Sequence, residues 1–360
     1  MVTPPVRRLK TFLGAEVRPY FRARGKKPIR QQLAEMSSLY RLYRFLPYQY
    51  VKHGLYLRDF SGNFRDYIPP ILLQRYCDKI NPSSRAGTVV DKQKFARIMR
   101  QRGLPVVDEI FTIHSDGRII DLKGKPITFG EAVKAIERQQ VNELFVKPTH
   151  GSRGLGAMRL SVRSGEIFRG EELIDGDGFY RLLFSGRSFK SYIVQPLVQQ
   201  HNLLSKMNPT SVNTLRIDTL KQEREVVVNS AVLRVGSGMT SMDNFATGGF
   251  IVKIDLKTGR LGRFATTKVA YGGKKVEVHP KSGFRFSNTA LPFWKDAIDC
   301  VLEGAICLQP LRALGWDVAI TENGPLLLET NHNYDIFLQQ EGVGGLRNTA
   351  LGRAFLEELF

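Results

Sequence analysis

Along the chain, apolar positions change period several times, and the changes mark out elements. From Ile29 to Leu46, residues Leu33, Met36, Leu39, Tyr40, Tyr43 and Leu46 recur at helical spacing, and Pro47 ends the run. Asp91 is an N-cap for a helix from Lys92 to Arg102 with Phe95, Ile98 and Met99 as its stripe, and Gly103 supplies the stop. Thr128 and Glu131 form a capping box for a helix reaching Arg138. Leu144–Val146 reads as a strand, and 157–162 and 166–169 read as a hairpin around Ser164-Gly165. A helix near 170–184 and a strand at Tyr192–Gln195 follow.

The second half is richer in strands. Thr214–Leu220 pairs with Val226–Arg234, and Phe250–Leu256 with Leu261–Thr266 across Lys257-Thr258-Gly259-Arg260. Pro292 opens a helix to about Leu308. Asp317–Thr321 and Leu326–Thr330 flank Glu322-Asn323-Gly324-Pro325, and a last helix spans about 345–358. Helices mixed with antiparallel hairpins give an α+β class, without the strict alternation of a doubly wound sheet.

Composition narrows the class. At 360 residues the chain needs two or three subdomains. Hydrophobic residues are 42% and charged residues 24%, as in a soluble globular protein. No run of about 20 apolar residues exists to span a membrane, and Met1–Lys10 lacks the apolar core of a secretory signal. Cys77, Cys300 and Cys307 form neither a disulfide framework nor a CxxC pair. A reducing, cytoplasmic setting is expected.

Net charge is +19, and residues 1–85 hold 17 Lys and Arg against 5 Asp and Glu. A field so placed attracts an anion, whether phosphoryl substrate, acidic polymer or anionic membrane face. Tyr48, Tyr50, Tyr56 and Phe60 lie among these charges, and aromatics at such spacing more often build core. No recognition-helix, zinc or RNA-stacking motif speaks for nucleic acid.

The chemistry concentrates in two segments. In Gly315-Trp316-Asp317 through Leu328-Glu329-Thr330-Asn331, a tight turn brings the outer ends of two strands together. Glu329 and Asn331 are two apart and share a face. With Asp317 they make a hard oxygen set suited to Mg²⁺ beside phosphate, with Mn²⁺ an alternative. In Val146-Lys147-Pro148-Thr149-His150-Gly151-Ser152-Arg153-Gly154, a lysine leaves a strand and glycines follow. Glycine lets backbone N–H groups approach phosphate, and lysine adds a point charge. The pattern is neither a Walker A loop nor a dinucleotide fingerprint. Asn213 and Arg216 in Pro209-Thr210-Ser211-Val212-Asn213-Thr214-Leu215-Arg216 start a strand with an amide and a guanidinium, which binds carboxylate or phosphate bidentately. No Ser-His-Asp or Cys-His pattern is found.

Together these segments resemble the ATP-grasp superfamily of carboxylate–amine ligases over about residues 86–340. Asp91-Lys92 is similar to its first lysine motif, and Val146-Lys147-Pro148 to its second. Tyr192-Ile193-Val194-Gln195-Pro196-Leu197 resembles its adenine hinge, and Asn244-Phe245-Ala246-Thr247-Gly248-Gly249 its Asn-x-x-x-Gly-Gly loop. The stretch 209–216 resembles the sugar-transfer-associated group. The resemblance implies two α+β subdomains gripping ATP, at 86–190 and 191–360, behind a basic helix-rich extension at 1–85. It implies nucleotide contacts from Lys92, Lys147, His150, Gly151, Ser152, Gly154, Gln195, Pro196, Leu197 and Leu328. It implies substrate contacts from Asn244, Gly248 and Gly249, a metal at Asp317, Glu329 and Asn331, and catalytic roles for Asn213, Arg216 and Arg234.

The implied reaction is ATP-dependent ligation of a carboxylate, such as a sugar acid or surface-polysaccharide precursor, to an amine. A kinase on the same fold and a non-catalytic anion-binding protein are the alternatives. Two positions depart from the superfamily. Gly315 stands where an oxyanion-stabilising arginine is usual, leaving that charge to Arg216 or Arg234. Gln199, Gln200 and His201 replace the usual ribose-binding acid.

Overall fold

The computed structural model describes residues 18–151, 154–238, 248–268, 273 and 275–359. The expected α+β class is found as two antiparallel sheets, each backed by helices. The first sheet has strands β1 (Phe111–His114), β2 (Ile119–Asp121), β3 (Pro126–Ile127), β4 (Glu143–Pro148), β5 (Met158–Arg163), β6 (Glu166–Arg169), β7 (Glu172–Ile174) and β8 (Ser191–Pro196), in the order β3-β2-β1-β8-β4-β5-β6-β7. The second has β9 (Thr214–Lys221), β10 (Val226–Val235), β11 (Phe250–Ile254), β12 (Leu261–Thr267), β13 (Lys275–Val276), β14 (Ala313–Thr321) and β15 (Gly324–Asn331), in the order β13-β12-β11-β10-β9-β14-β15.

Capping chemistry sets several helix boundaries. Helix α1 is Ile29–Tyr43, shorter than its apolar run, because Arg44 turns left-handed at φ 48 and its N–H donates to Tyr40 O. Helix α2 is Pro70–Ile80. Helix α3, Lys92–Gln101, opens where Asp91 accepts from the N–H groups of Gln93 and Lys94. Helix α4, Phe129–Arg138, carries the full Thr128/Glu131 capping box.

Helix α5 is Gly176–Phe184, later than the sequence pattern indicates. Asp175 caps it, and Glu172–Ile174 instead pairs with β6. Helices α6 (Asn202–Met207) and α7 (Trp294–Cys307) follow. The closing helix expected at about 345–358 is α9 (Ala350–Leu359), starting later, and an unexpected helix α8 (Ile336–Val343), capped by Asp335 and stopped at left-handed Gly344, precedes it.

The second sheet is covered on both faces. One face carries Leu215, Ile217, Leu233, Val252, Trp316 and Val318, packed with Phe95 and Met99 of α3 and Ala297 and Val301 of α7. The other face is divided along the strands. Its lower part, with Leu220 and Ala313, packs on Leu39, Tyr43, Tyr50, Tyr56, Ile68 and Leu73 and on the C-terminal helices. Most aromatics of the basic N-terminal stretch therefore build core, as such spacing usually does. Three of the apolar positions of the run from Ile29 to Leu46, namely Leu33 and Tyr40 on α1 and Leu46 beyond it, are exposed instead. The upper part of this face carries charge.

Candidate active site

Side chains directly opposite in antiparallel strands share a face. Across β15, β14 and β9 the register is Glu329, Asp317, Arg216. Arg216 Nε donates to Asp317 Oδ1 at 2.5 Å and Nη2 to Oδ2 at 3.0 Å, a bidentate fork between buried groups. Arg234, two residues beyond the β10 partner of Arg216, places Nη2 3.2 Å from Asp317 Oδ2 and also donates to Thr214 Oγ1. Burial alone would raise the Asp317 pKa, but the two guanidinium groups outweigh it and hold the carboxyl below its usual range.

Asp317 is thus first of all the partner of two arginines. Glu329 is partly exposed, and its Oε1 lies 3.5 Å from Asn331 Nδ2. Among the described residues no cluster of three His, Cys, Asp or Glu side chains suits a metal. The oxygen set here is two carboxylates and an amide. That chemistry fits a hard cation completing its shell with water and phosphate. Glu329 and Asn331 would hold it, with Asp317 reaching it only by sharing oxygens with the arginines.

The first sheet faces this row across a narrow cleft lined by Lys92, Lys147, Glu109, Gln195, Leu327 and Leu328, among others. Three contacts fix Lys92. Its N–H donates to Thr149 O at 3.4 Å, its Nζ donates to Gly151 O at 2.8 Å, and Nζ lies 3.7 Å from Glu329 Oε2. The start of α3, the loop after β4 and the carboxylate row are tied at one ammonium group. Lys147, on β4, has its pKa pushed down to about 8, chiefly by burial and further by Lys92, against the pull of Glu329 and Glu109.

Glu109 was not singled out by sequence, because it sits in an irregular stretch just before β1. It is buried, accepts from Gln93 Nε2 at 3.1 Å, and burial raises its pKa.

The remaining expected residues separate. Gln195 and Leu328 line the cleft. Pro196 lies opposite Leu144, and the Leu197 N–H already donates to Glu143 O, so that amide is not offered to a base. His150 is exposed, 3.7 Å from Asp91. Gly154 and Gly156 hold left-handed turns, and a Cβ at Gly156 would meet the Phe189 ring at 2.6 Å. Ser152 and Asn244 lie outside the described residues. Gly248 and Gly249 lead into β11 beside the end of β10, past Arg234.

Asn213 departs from the expectation of a substrate amide. It is fully buried, with Nδ2 donating to Gln200 Oε1, Leu204 O and Asn208 O, and Oδ1 accepting from Gly236 N–H. It braces the segment 200–213, which includes α6. Gln200 is likewise spent on Asn208 O and Ser211 O. Gly315, in the place of an arginine, is covered by Tyr334, whose Cβ and Cγ lie 2.6 Å from where a Cβ would stand.

Two antiparallel sheets holding a cleft between two lysines and an acid hairpin define an ATP-grasp architecture. The chain belongs to the sugar-transfer associated ATP-grasp family, whose model matches residues 72–351. Solved structures similar to it include the ATP-grasp ligase PsnB complexed with minimal precursor, at 15% identity and TM-score 0.41, covering 78% of this chain and 64% of that one. The D-cycloserine synthetase DcsG gives 17% and 0.44, covering 80% and 78%. The D-alanine-D-alanine ligase from Coxiella burnetii gives 11% and 0.42, covering 76% and 59%. The chain thus spans about three fifths of the PsnB and Coxiella chains. No match is found among curated proteins. No helix among the described residues is long and apolar enough to cross a membrane.

Proposed function

We propose that the protein is an ATP-dependent carboxylate–amine ligase, acting on a sugar acid or surface-polysaccharide precursor. The observation that carries this reading is the meeting of Lys92 with Glu329 at 3.7 Å, which joins the lysine side of the cleft to the acid hairpin. Lys92 and Lys147 bind the nucleotide phosphates. Glu329 and Asn331 hold a divalent cation, which offsets phosphate charge when bound. Arg234, at the edge of the Asp317 pair, orients the acid.

The acid carboxylate attacks the γ-phosphorus and ADP leaves, giving an acyl phosphate. The amine then attacks the carbonyl, loses a proton, and phosphate leaves as the amide forms. Positioning and electrostatics carry the acceleration, so no protein nucleophile is needed. The test is mass spectrometry of products with ATP, Mg²⁺, amines and ¹⁸O-labelled candidate acids. Amide with one label delivered to released phosphate is expected. A phosphorylated product with no released phosphate would make the protein a kinase instead.

A further inference from the structure

Helix α1 carries two stripes. Gln32, Glu35, Leu39 and Tyr43 are buried. Ile29, Leu33 and Tyr40, spaced four and seven apart, share another side and are 61%, 60% and 53% exposed. Arg30 and Arg41, eleven apart, run beside that stripe with Ala34 between them, and all three are exposed. The helical turn Arg18–Arg22 is tied to the first half of α1, where Tyr20 Oη donates to Gln32 Oε1 at 2.9 Å. Phe21, edge-on to the Tyr20 ring at 5.4 Å, is 73% exposed. Among the described residues, five of the fifteen exposed large apolar side chains lie between Phe21 and Leu46. Scattered exposed apolar residues need no explanation, whereas a cluster on one short segment marks a contact surface.

The charge around this cluster has one sign. Arg22, Arg24, Arg30, Arg41 and Arg44 are exposed. Glu35 is the single carboxylate between residues 18 and 58. It is buried, and Lys27 Nζ, Gln31 Nε2 and Tyr50 Oη donate to it. No acidic group of this segment therefore reaches the outer face. A second copy of the chain is a poor occupant, because a twofold contact sets two such faces against each other. An anionic bilayer meets both features. Its headgroups attract arginine, and its acyl boundary accepts apolar side chains.

We infer that the outer face of α1, with Phe21 beside it, seats the protein on an anionic membrane surface. Phe21, Ile29, Leu33 and Tyr40 enter the boundary between headgroups and acyl chains, while Arg30 and Arg41 stay at the phosphates. Tyrosine suits that level, with an apolar ring and a polar tip. The core behind α1 is undisturbed by docking, because the buried stripe keeps its partners. The inference does not depend on the ligase reading.

The test is sedimentation of the full chain with mixed phosphatidylglycerol–phosphatidylcholine vesicles and with phosphatidylcholine vesicles alone. Wild type should pellet with the anionic vesicles and not with the neutral ones, and added salt should release it. Arg30→Gln combined with Arg41→Gln should lower the partition coefficient about fivefold per arginine at low salt. Leu33→Ser combined with Tyr40→Ser should lower it at least about tenfold. Leu122→Ser, equally exposed between β2 and β3, should change nothing. All these positions are exposed, so Tm should stay unchanged. Leu33→Trp reads insertion directly, since vesicles with brominated acyl chains should quench its emission. Absence of wild type from the anionic pellet, equal pelleting of the serine variant and wild type, or an unquenched Leu33→Trp overturns the membrane surface. An acidic partner protein as the true occupant would give the first of these results. A dimer in analytical ultracentrifugation that the serine variant abolishes would also overturn it, by giving the face to a second copy.

Discussion

Two rows of the same sheet face, two residues apart on each strand, treat charge in opposite ways. The upper row reads Glu329, Asp317, Arg216, Val232, and the lower reads Asn331, Gly315, Asp218, Ser230. In the upper row a buried carboxylate faces a guanidinium fork, and its pKa falls. In the lower row Asp218 is fully buried, with Ser230 Oγ and Gln339 Nε2 donating to it, and burial pushes its pKa up to about 7 despite those bonds and Arg216 nearby. A charge is kept on the row that borders the cleft and is close to being discharged on the row that Tyr334 and Gln339 seal. The boundary between site and core runs between residues 216 and 218 of one strand.

The largest break in this comparison is Glu329→Gln. It removes the exposed acid of the upper row while leaving Asp317 and its arginines in place. Turnover should fall at least roughly 100-fold, the scale of a lost metal-held charge worth several kcal/mol, with folding unchanged by circular dichroism. Near-normal turnover would move the reacting centre elsewhere.

Arg216→Lys comes next. Lysine keeps the charge but cannot reproduce two parallel bonds to Asp317. A loss of about 10- to 30-fold in kcat/KM is expected, about 1.4–2 kcal/mol, together with a lowered Tm. A variant with wild-type kcat/KM would reduce Arg216 to a structural partner.

Gly315→Ala tests the seal of the lower row. The new methyl meets the buried Tyr334 ring at 2.6 Å, and overpacking of this kind costs about 1–3 kcal/mol. Urea unfolding should show it as a lower midpoint. An unchanged midpoint would mean that Tyr334 is loosely held.

The contrast also marks how far the sequence could be read. Caps at Asp91 and Thr128, the hairpin at Ser164-Gly165 and the acid hairpin follow from local chemistry, and they are where the pattern places them. The carboxylate row was legible because its two strands are joined by one turn. The identity of Asp317's partners was not, because the pair spans 101 positions and depends on the register of β14 on β9. Asn213 misled for the same reason: a strand-initial amide looks available until the segment 200–213, with α6, folds over it. Helix α8 escaped notice because Ile336-Phe337-Leu338-Gln339-Gln340 is buried all round and shows no helical period. The cost of exposing Leu33 and Tyr40 could not be foreseen either, since which face of α1 meets the sheet is a tertiary choice.

Asp218→Asn is the subtlest test. The folded-state pKa of Asp218, about 7, lies above the ordinary aspartate value near 4. Between those values the folded protein keeps a proton that the unfolded chain has released. Stability therefore falls as pH rises through that window. Below about pH 4 both states are protonated, and above about pH 7 both are ionised, so the slope vanishes at each end. Asparagine presents the same shape without titrating and can still accept from Ser230. The variant should be more stable than wild type at pH 8, by about 1–2 kcal/mol after allowing for a compact unfolded state, and nearly matched at pH 4. Urea midpoints of the two proteins at both pH values measure this directly, because every other titrating group cancels in the difference. Parallel pH responses would show that Asp218 stays ionised beneath Tyr334, and that Arg216 serves both rows.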